Sequence, residues 1–275
     1  MGSRVRQIRQ QLGLASAVAL CTLLSGTVSG NTATTGFATA PPEPEFRFMR
    51  LRYHDNYMGY PGGSWLTDTP YAEYHLSQGI RRLTRIDTID PDKLTPAEAV
   101  FPREPLDPDL FNHPFLYAVE VGRWYLDDEE AARIREYLDR GGFLVVDDFH
   151  GDEQWEGFID SFHRIFPDKT VEEIPPDSEV FHVLFDLTQK VRDKVQIPGS
   201  AAWRFRSTCE ECERGGAVPH WRGVYDDNHR LMAVINFNMD LGDSWELADD
   251  PEYPQPLTAL GYRFGTSYAL YAMTH

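Results

Sequence analysis

The residue group best suited to chemistry is Asp147-Asp148-Phe149-His150-Gly151, which follows directly on the apolar run Phe143–Val146. Two carboxylates beside an imidazole can hold a hard divalent cation or exchange protons as acid and base. A second group, Asn238, Asp240, Asp243 and Trp245, follows the apolar run that starts at Met232. A third, His54-Asp55-Asn56-Tyr57, follows Phe46–Tyr53. Asp148, His150, Asp55 and Asp240 are therefore the candidates for catalysis or for ligating a divalent metal. His54, Tyr57, Arg123, Asn238, Asp243 and Trp245 are the candidates for ligand contact. Arg123 suits a carboxylate or phosphate, and Trp245 suits the flat face of a sugar.

Each of these residues also has a structural role open to it. Adjacent strand residues point to opposite faces, so Asp147 and Asp148 address one ligand only if the chain turns there. One Asp can cap the next helix while the other pairs with an arginine. Arg123 can pair with Asp127 or Asp128, and Trp and Tyr commonly pack in cores. The sequence has no G-x-S-x-G elbow, no phosphate-binding P-loop and no G-x-G-x-x-G fingerprint.

The elements that must position these groups read as α/β. Pro114–Val121 is a strand candidate. Asp127 caps the helix that follows, with Glu130 completing a capping box and Gly141 ending it in a left-handed conformation. Gly142–Asp147 is a short apolar run of the kind buried on both faces. Trp155, Phe158, Ile159, Phe162 and Phe166 then recur at helical spacing up to Pro167. Strand–helix–strand–helix argues for a mostly parallel sheet with helices on its faces. Phe46–Tyr53 and Arg85–Ile89 read as further strands, with a helix capped by Thr67 or Asp68 running to Leu83 between them. Residues 90–113 are Pro-rich and read as irregular. Gly216–Tyr225 and Leu231–Asn236 read as a hairpin, and a helix through Leu257, Leu260, Phe264, Tyr268 and Tyr271 closes the chain. In open α/β sheets ligands bind beyond the carboxyl ends of the strands, where all three polar groups fall.

The first 30 residues have the parts of a secretory signal peptide. Arg4, Arg6 and Arg9 precede the 13-residue apolar run Leu12–Leu24, and small residues follow. That run is shorter than the roughly 20 residues needed to span a bilayer; an uncleaved anchor is the competing reading. The expected layout is a leader over 1–30, a Pro-rich linker over 31–45 and one α/β domain over 46–275, exported to the periplasm or secreted, with no transmembrane span beyond the leader. Removing the leader takes away three arginines and no acid, so the net charge moves from −17 to −20. Such a surface repels nucleic acid and anionic lipid. The expected partner is instead a small polar ligand or a cell-envelope protein. Cys209 and Cys212, the two cysteines beyond the leader, read as a disulfide in that compartment, with a redox pair or half a metal site as the other options.

In the order of its blocks the chain resembles the domain-of-unknown-function 4159 family. Those blocks are FRFMRLRYHDNY, DTPYAEYHL, HPFLYAVEVGRWYLDDEEAARIREYLDRGGFLVVDDFHG, EVFHVLFDL, RLMAVINFNMDLGDSWE and SYALYAMTH, together spanning residues 46–275. The resemblance implies a three-layer flavodoxin-like domain, similar to class I glutamine amidotransferases and to trehalose-utilisation-like proteins. It implies no established activity. Amidotransferase chemistry needs a cysteine at a strand-to-helix elbow, and here Asp148-Phe149-His150 stands at the comparable place. The sequence thus points to an exported ligand-binding or accessory cell-envelope protein with no established cofactor; the alternative is a hydrolase, with or without a divalent metal, acting on a polar, carbohydrate-like substrate.

Overall fold

The computed structural model describes residues 43–55, 63–90, 92–187, 213–216 and 218–275. Tyr57, Cys209, Cys212 and the leader lie outside them. In chain order the strands are β1 (Met49–Leu51), β2 (His54–Asp55), β3 (Pro102–Arg103), β4 (Phe115–Val119), β5 (Trp124–Tyr125), β6 (Phe143–Phe149), β7 (Glu172–Glu173), β8 (His220–Tyr225) and β9 (Leu231–Phe237). The α-helices are α1 (Tyr71–Leu83), α2 (Pro96–Ala99), α3 (Asp128–Asp139), α4 (Gly151–Ile165), α5 (Leu241–Glu246) and α6 (Gln255–Thr274).

Seven strands form one sheet in the order β3-β1-β4-β6-β9-β8-β7. The first five are mutually parallel, and β8 and β7 add antiparallel to one edge. Its central strands are buried on both faces, as their continuous apolar runs require. Along β4 the side chains alternate: Phe115, Tyr117 and Val119 join a core with α1, α5 and α6, while Leu116 and Ala118 join the opposite core with α3 and α4. The chain is therefore mixed α/β with a mostly parallel sheet.

Local signals account for several boundaries. Asp127 accepts from the backbone N–H of Glu129 and Glu130, both at 2.9 Å, and Glu130 returns the bond to the Asp127 N–H, which starts α3. Gly141, at φ 105°, ends it. Arg85–Ile89 is not a strand: its Asp87 bonds the segment before β1, through Phe46 N–H to Asp87 O at 3.0 Å and Asp87 N–H to the Glu45 carboxylate at 2.7 Å. The edge beside β1 goes instead to β3, inside the Pro-rich stretch. An edge strand tolerates Pro102 because it needs no donor on its outer side. The segment 46–53 also pairs over fewer residues than its pattern suggests: β1 is three residues long and meets β3 and β4 over two positions each.

One buried polar contact ties strand to loop. Arg50 in β1 is fully buried and its Nε donates to the equally buried Glu73 of α1. Its Nη1 donates to the carbonyls of Trp65 (3.0 Å) and Thr67 (2.9 Å). The sheet thereby grips the connection from β1 to α1. Removing one member of a buried ion pair strands the other charge, at a cost of about 3–5 kcal/mol, whereas replacing both by apolar groups is far milder. Urea unfolding is expected to show Arg50→Ala losing about that much stability. The double variant Arg50→Met/Glu73→Leu should recover most of it. Equal losses in both would show that the ion pair is not what holds α1 to the sheet.

Candidate functional site

Three neighbouring parallel strands end in the same unusual way. Glu120 after β4 (φ 53°), Asp148 in β6 (φ 53°) and Asn238 after β9 (φ 61°) all lie in the left-handed region. Asp and Asn visit it more readily than other side-chain-bearing residues. The turns are stitched together by backbone bonds: Glu120 N–H to Asp147 O, Asp148 N–H to Met239 O and Asn238 N–H to Phe149 O, all between 3.0 and 3.1 Å. The β6–β9 register shifts between Val146 and Phe149. This bulge breaks the two-residue alternation at the strand end, where Asp147 reaches the N–H groups of Leu241 and Gly242 and Asp148 lies beside Asp68 and Asp240.

The result is a buried nest of carboxylates at the carboxyl ends of the strands. Carboxylate oxygens of Asp68, Asp148 and Asp240 all lie within 4.8 Å of one another, and a second set at the same spacing is Asp68, Asp243 and Glu246. Asp68, Asp147, Asp148, Asp240 and Asp243 are each at most 7% exposed. Asp68 comes from the connection gripped by Arg50 and is itself left-handed (φ 66°). Its Oδ2 has no hydrogen-bond partner among the described residues. Strained backbone of this kind, costing about 1–3 kcal/mol per residue, concentrates at functional sites.

Two of these aspartates also build structure. Asp147 Oδ2 accepts from Tyr117 Oη (2.9 Å) and from the N–H groups of Leu241 (2.8 Å) and Gly242 (3.0 Å), so it caps α5 from a neighbouring strand. Asp240 caps the same helix through Oδ1 and the Asp243 N–H at 2.8 Å. His150 Nε2 lies 3.3 Å from Asp148 Oδ1. Burial, with the Arg214 charge adding to it, lowers the His150 pKa to about 4. The imidazole is thus neutral at pH 7 and can orient the Asp148 carboxylate by donating to it.

Electrostatics single this nest out. Burial raises Asp68 well above the usual carboxylate range, and Asp243 and Glu246 raise it further. Asp240 is raised by burial, then by Asp148, Asp243, Asp68 and Asp147. Burial lifts Asp147 to about 7 despite the hydrogen bonds that oppose the shift. Tyr253, also buried, feels Asp240, Asp243 and Asp68. Carboxylates alone with a neutral histidine nearby form a hard, oxygen-rich donor set, suited to Mg²⁺, Ca²⁺ or Mn²⁺.

The structure brings together Asp148, His150, Asp240 and Asp243 and gives the other described candidates different partners. Asp55 Oδ2 accepts from the Ser64 N–H at 2.8 Å. His54 is exposed and lies 3.3 Å from Glu130 of α3. Asn238 clamps backbone, accepting from the Gly151 N–H (3.0 Å) and donating to Val218 O (2.7 Å). Arg123 lies 3.7 Å from Glu120, where the sequence offered Asp127 or Asp128; Arg164 is the residue beside Asp128. Trp245 is fully buried against Phe48 and Tyr117 and has no face for a sugar. Arg123 lines a groove of about 530 Å³ beside α4 that does not include the acidic nest.

Sequence reasoning missed Asp68, read as a helix cap, and Glu246. The helix α1 begins at Tyr71 without a side-chain cap, leaving Asp68 turned into the nest. For Glu246 a signal was present: Asp240, Asp243 and Glu246 recur every third residue, one face of a helical turn.

A family model for a domain of unknown function (DUF4159) matches residues 47–273. The chain belongs to that family. No curated protein matches it.

The raised carboxylates set a pH dependence of known sign. A group whose pKa climbs on folding holds its proton in the folded state after the unfolded chain has released it. The stability it contributes is complete below the unfolded value, 3.8 for Asp147, and is lost as pH rises through the folded value of about 7. In chelator, urea unfolding is expected to show lower stability at pH 8 than at pH 5, with Asp147→Asn reducing the difference. A metal-free stability that climbs across that interval would contradict the assignment.

Proposed function

We propose that this protein binds a divalent cation in the carboxylate nest and uses it to hold a polar, oxygen-rich ligand at the carboxyl end of the sheet. The observation that carries this reading is the Asp68–Asp148–Asp240 set, whose oxygens lie within 4.8 Å of one another. All three are buried, and Asp68 Oδ2 lacks a hydrogen-bond partner among the described residues. Buried like charges at this spacing are costly unless a counter-charge joins them. A dication supplies it, and ligand oxygens can complete its coordination. The same cation would polarise a bound water, which keeps a hydrolytic role compatible with the site.

The leader-like segment supports export, and export favours a Cys209–Cys212 disulfide. The block resemblance supports a flavodoxin-like, amidotransferase-like ancestry. Glu120, Asp148 and Asn238 at the strand-end turns argue against amidotransferase chemistry.

Thermal melting after chelation tests the cation. Adding Mg²⁺, Ca²⁺ or Mn²⁺ is expected to raise the Tm in a concentration-dependent way, by about 2.7 kcal/mol of stabilisation at a hundredfold excess over Kd. Asp148→Asn and Asp240→Asn should each reduce that response. No shift with any divalent cation would refute the reading. Separately, alkylation of the non-reduced, exported protein should label neither Cys209 nor Cys212; ready labelling of both would exclude the disulfide.

A further inference from the structure

The nest contains two ligand sets, and both include Asp68. We infer that Asp68 is a shared ligand joining two divalent cations, one held with Asp148 and Asp240 and the other with Asp243 and Glu246. The inference rests on the cation-binding reading above and adds the number of ions and the way they are linked.

Geometry places Asp68 between the two sets. Its left-handed backbone, with φ 66°, carries the carboxylate inward from the connection that Arg50 grips. The oxygen Oδ2 is buried and without a hydrogen-bond partner among the described residues. Gly242 makes room for it: a Cβ there would come within 1.9 Å of Asp68 Oδ2. Asp243 and Glu246 stand one turn apart on α5 and so face the same side. Asp240 is the N-cap of the same helix, and Asp148 joins it from β6.

Charge points the same way. The five residues carry five negative charges when ionised. Each set offers three carboxylates, enough to anchor one dication apiece with Asp68 counted in both. Arg50, the buried guanidinium among the described residues, is already engaged with Glu73. A carboxylate shared by two ions is the usual way to hold them about 3.5–4 Å apart, as two-metal centres require. Glu246 is only half-buried, whereas the other four are buried, so the ion beside Glu246 should be the more exchangeable one.

Titration of the chelator-stripped full chain with Mn²⁺ tests this, read by calorimetry for stoichiometry and by electron paramagnetic resonance for coupling. The expected result is two ions per chain with a spin-coupled signal. Glu246→Gln should lower the count to one and abolish the coupling, as should Asp240→Asn from the other side. Asp68→Asn should abolish coupling whatever count remains; circular dichroism and melting in chelator confirm that each variant is folded. One ion per chain, unaffected by Glu246→Gln, would overturn the two-ion centre and leave the single-cation reading standing. Two ions without coupling would overturn the sharing of Asp68. No binding at all would overturn both readings.

Discussion

Five aspartates are buried at one end of the sheet, and the one buried guanidinium among the described residues, on Arg50, is engaged elsewhere. Much of the local architecture follows from this imbalance. Arg50 is held by Glu73 and in turn holds the carbonyls of Trp65 and Thr67. It thus fixes the loop that delivers Asp68 without neutralising the nest that Asp68 completes. A buried charge normally survives by pairing, by hydrogen bonding or by taking up a proton. Here Asp147 and Asp240 are hydrogen-bonded as helix caps, and protonation is what the raised pKa values of Asp68, Asp147 and Asp240 describe. On the proposed reading a dication would do the same work at neutral pH.

The second constraint is the concerted turn of β4, β6 and β9. A strand that kept its two-residue period would point Asp147 to one face of the sheet and Asp148 to the other. The left-handed Asp148 and the register shift beside it remove that period just where the strand leaves the sheet. Glu120 and Asn238 turn at the same level, so the kinks satisfy one another's backbone groups. Structural and chemical uses of carboxylates then separate within one dipeptide: Asp147 caps α5 and Asp148 faces Asp68 and Asp240.

A nest of this kind opposes stability in the absence of a counter-ion. Neutral residues in its place would be easier to bury, and the strained φ angles of Asp68 and Asp148 add to the cost. The apolar cores on both faces of the sheet offset that cost. Evident stabilising alternatives left unused are characteristic of sites that do something other than stabilise.

The sequence by itself determined the class of fold and much of its order. The capping box at Asp127, the apolar run of β6, the β8–β9 hairpin and the closing helix are local patterns, set by side-chain period and by hydrogen bonds between near neighbours. It also brought attention to Asp148, His150, Asp240 and Asp243, because each follows an apolar run that had to be a strand. What it could not contain was the role of Asp68, 80 residues before Asp148 in the chain. Nor could it show that Trp245 turns into the core or that Arg123 meets Glu120. Those outcomes depend on which strands become neighbours and on where a strand gives up its alternation. Parallel pairing and concerted kinks are long-range arrangements, and only the packed tertiary structure decided them.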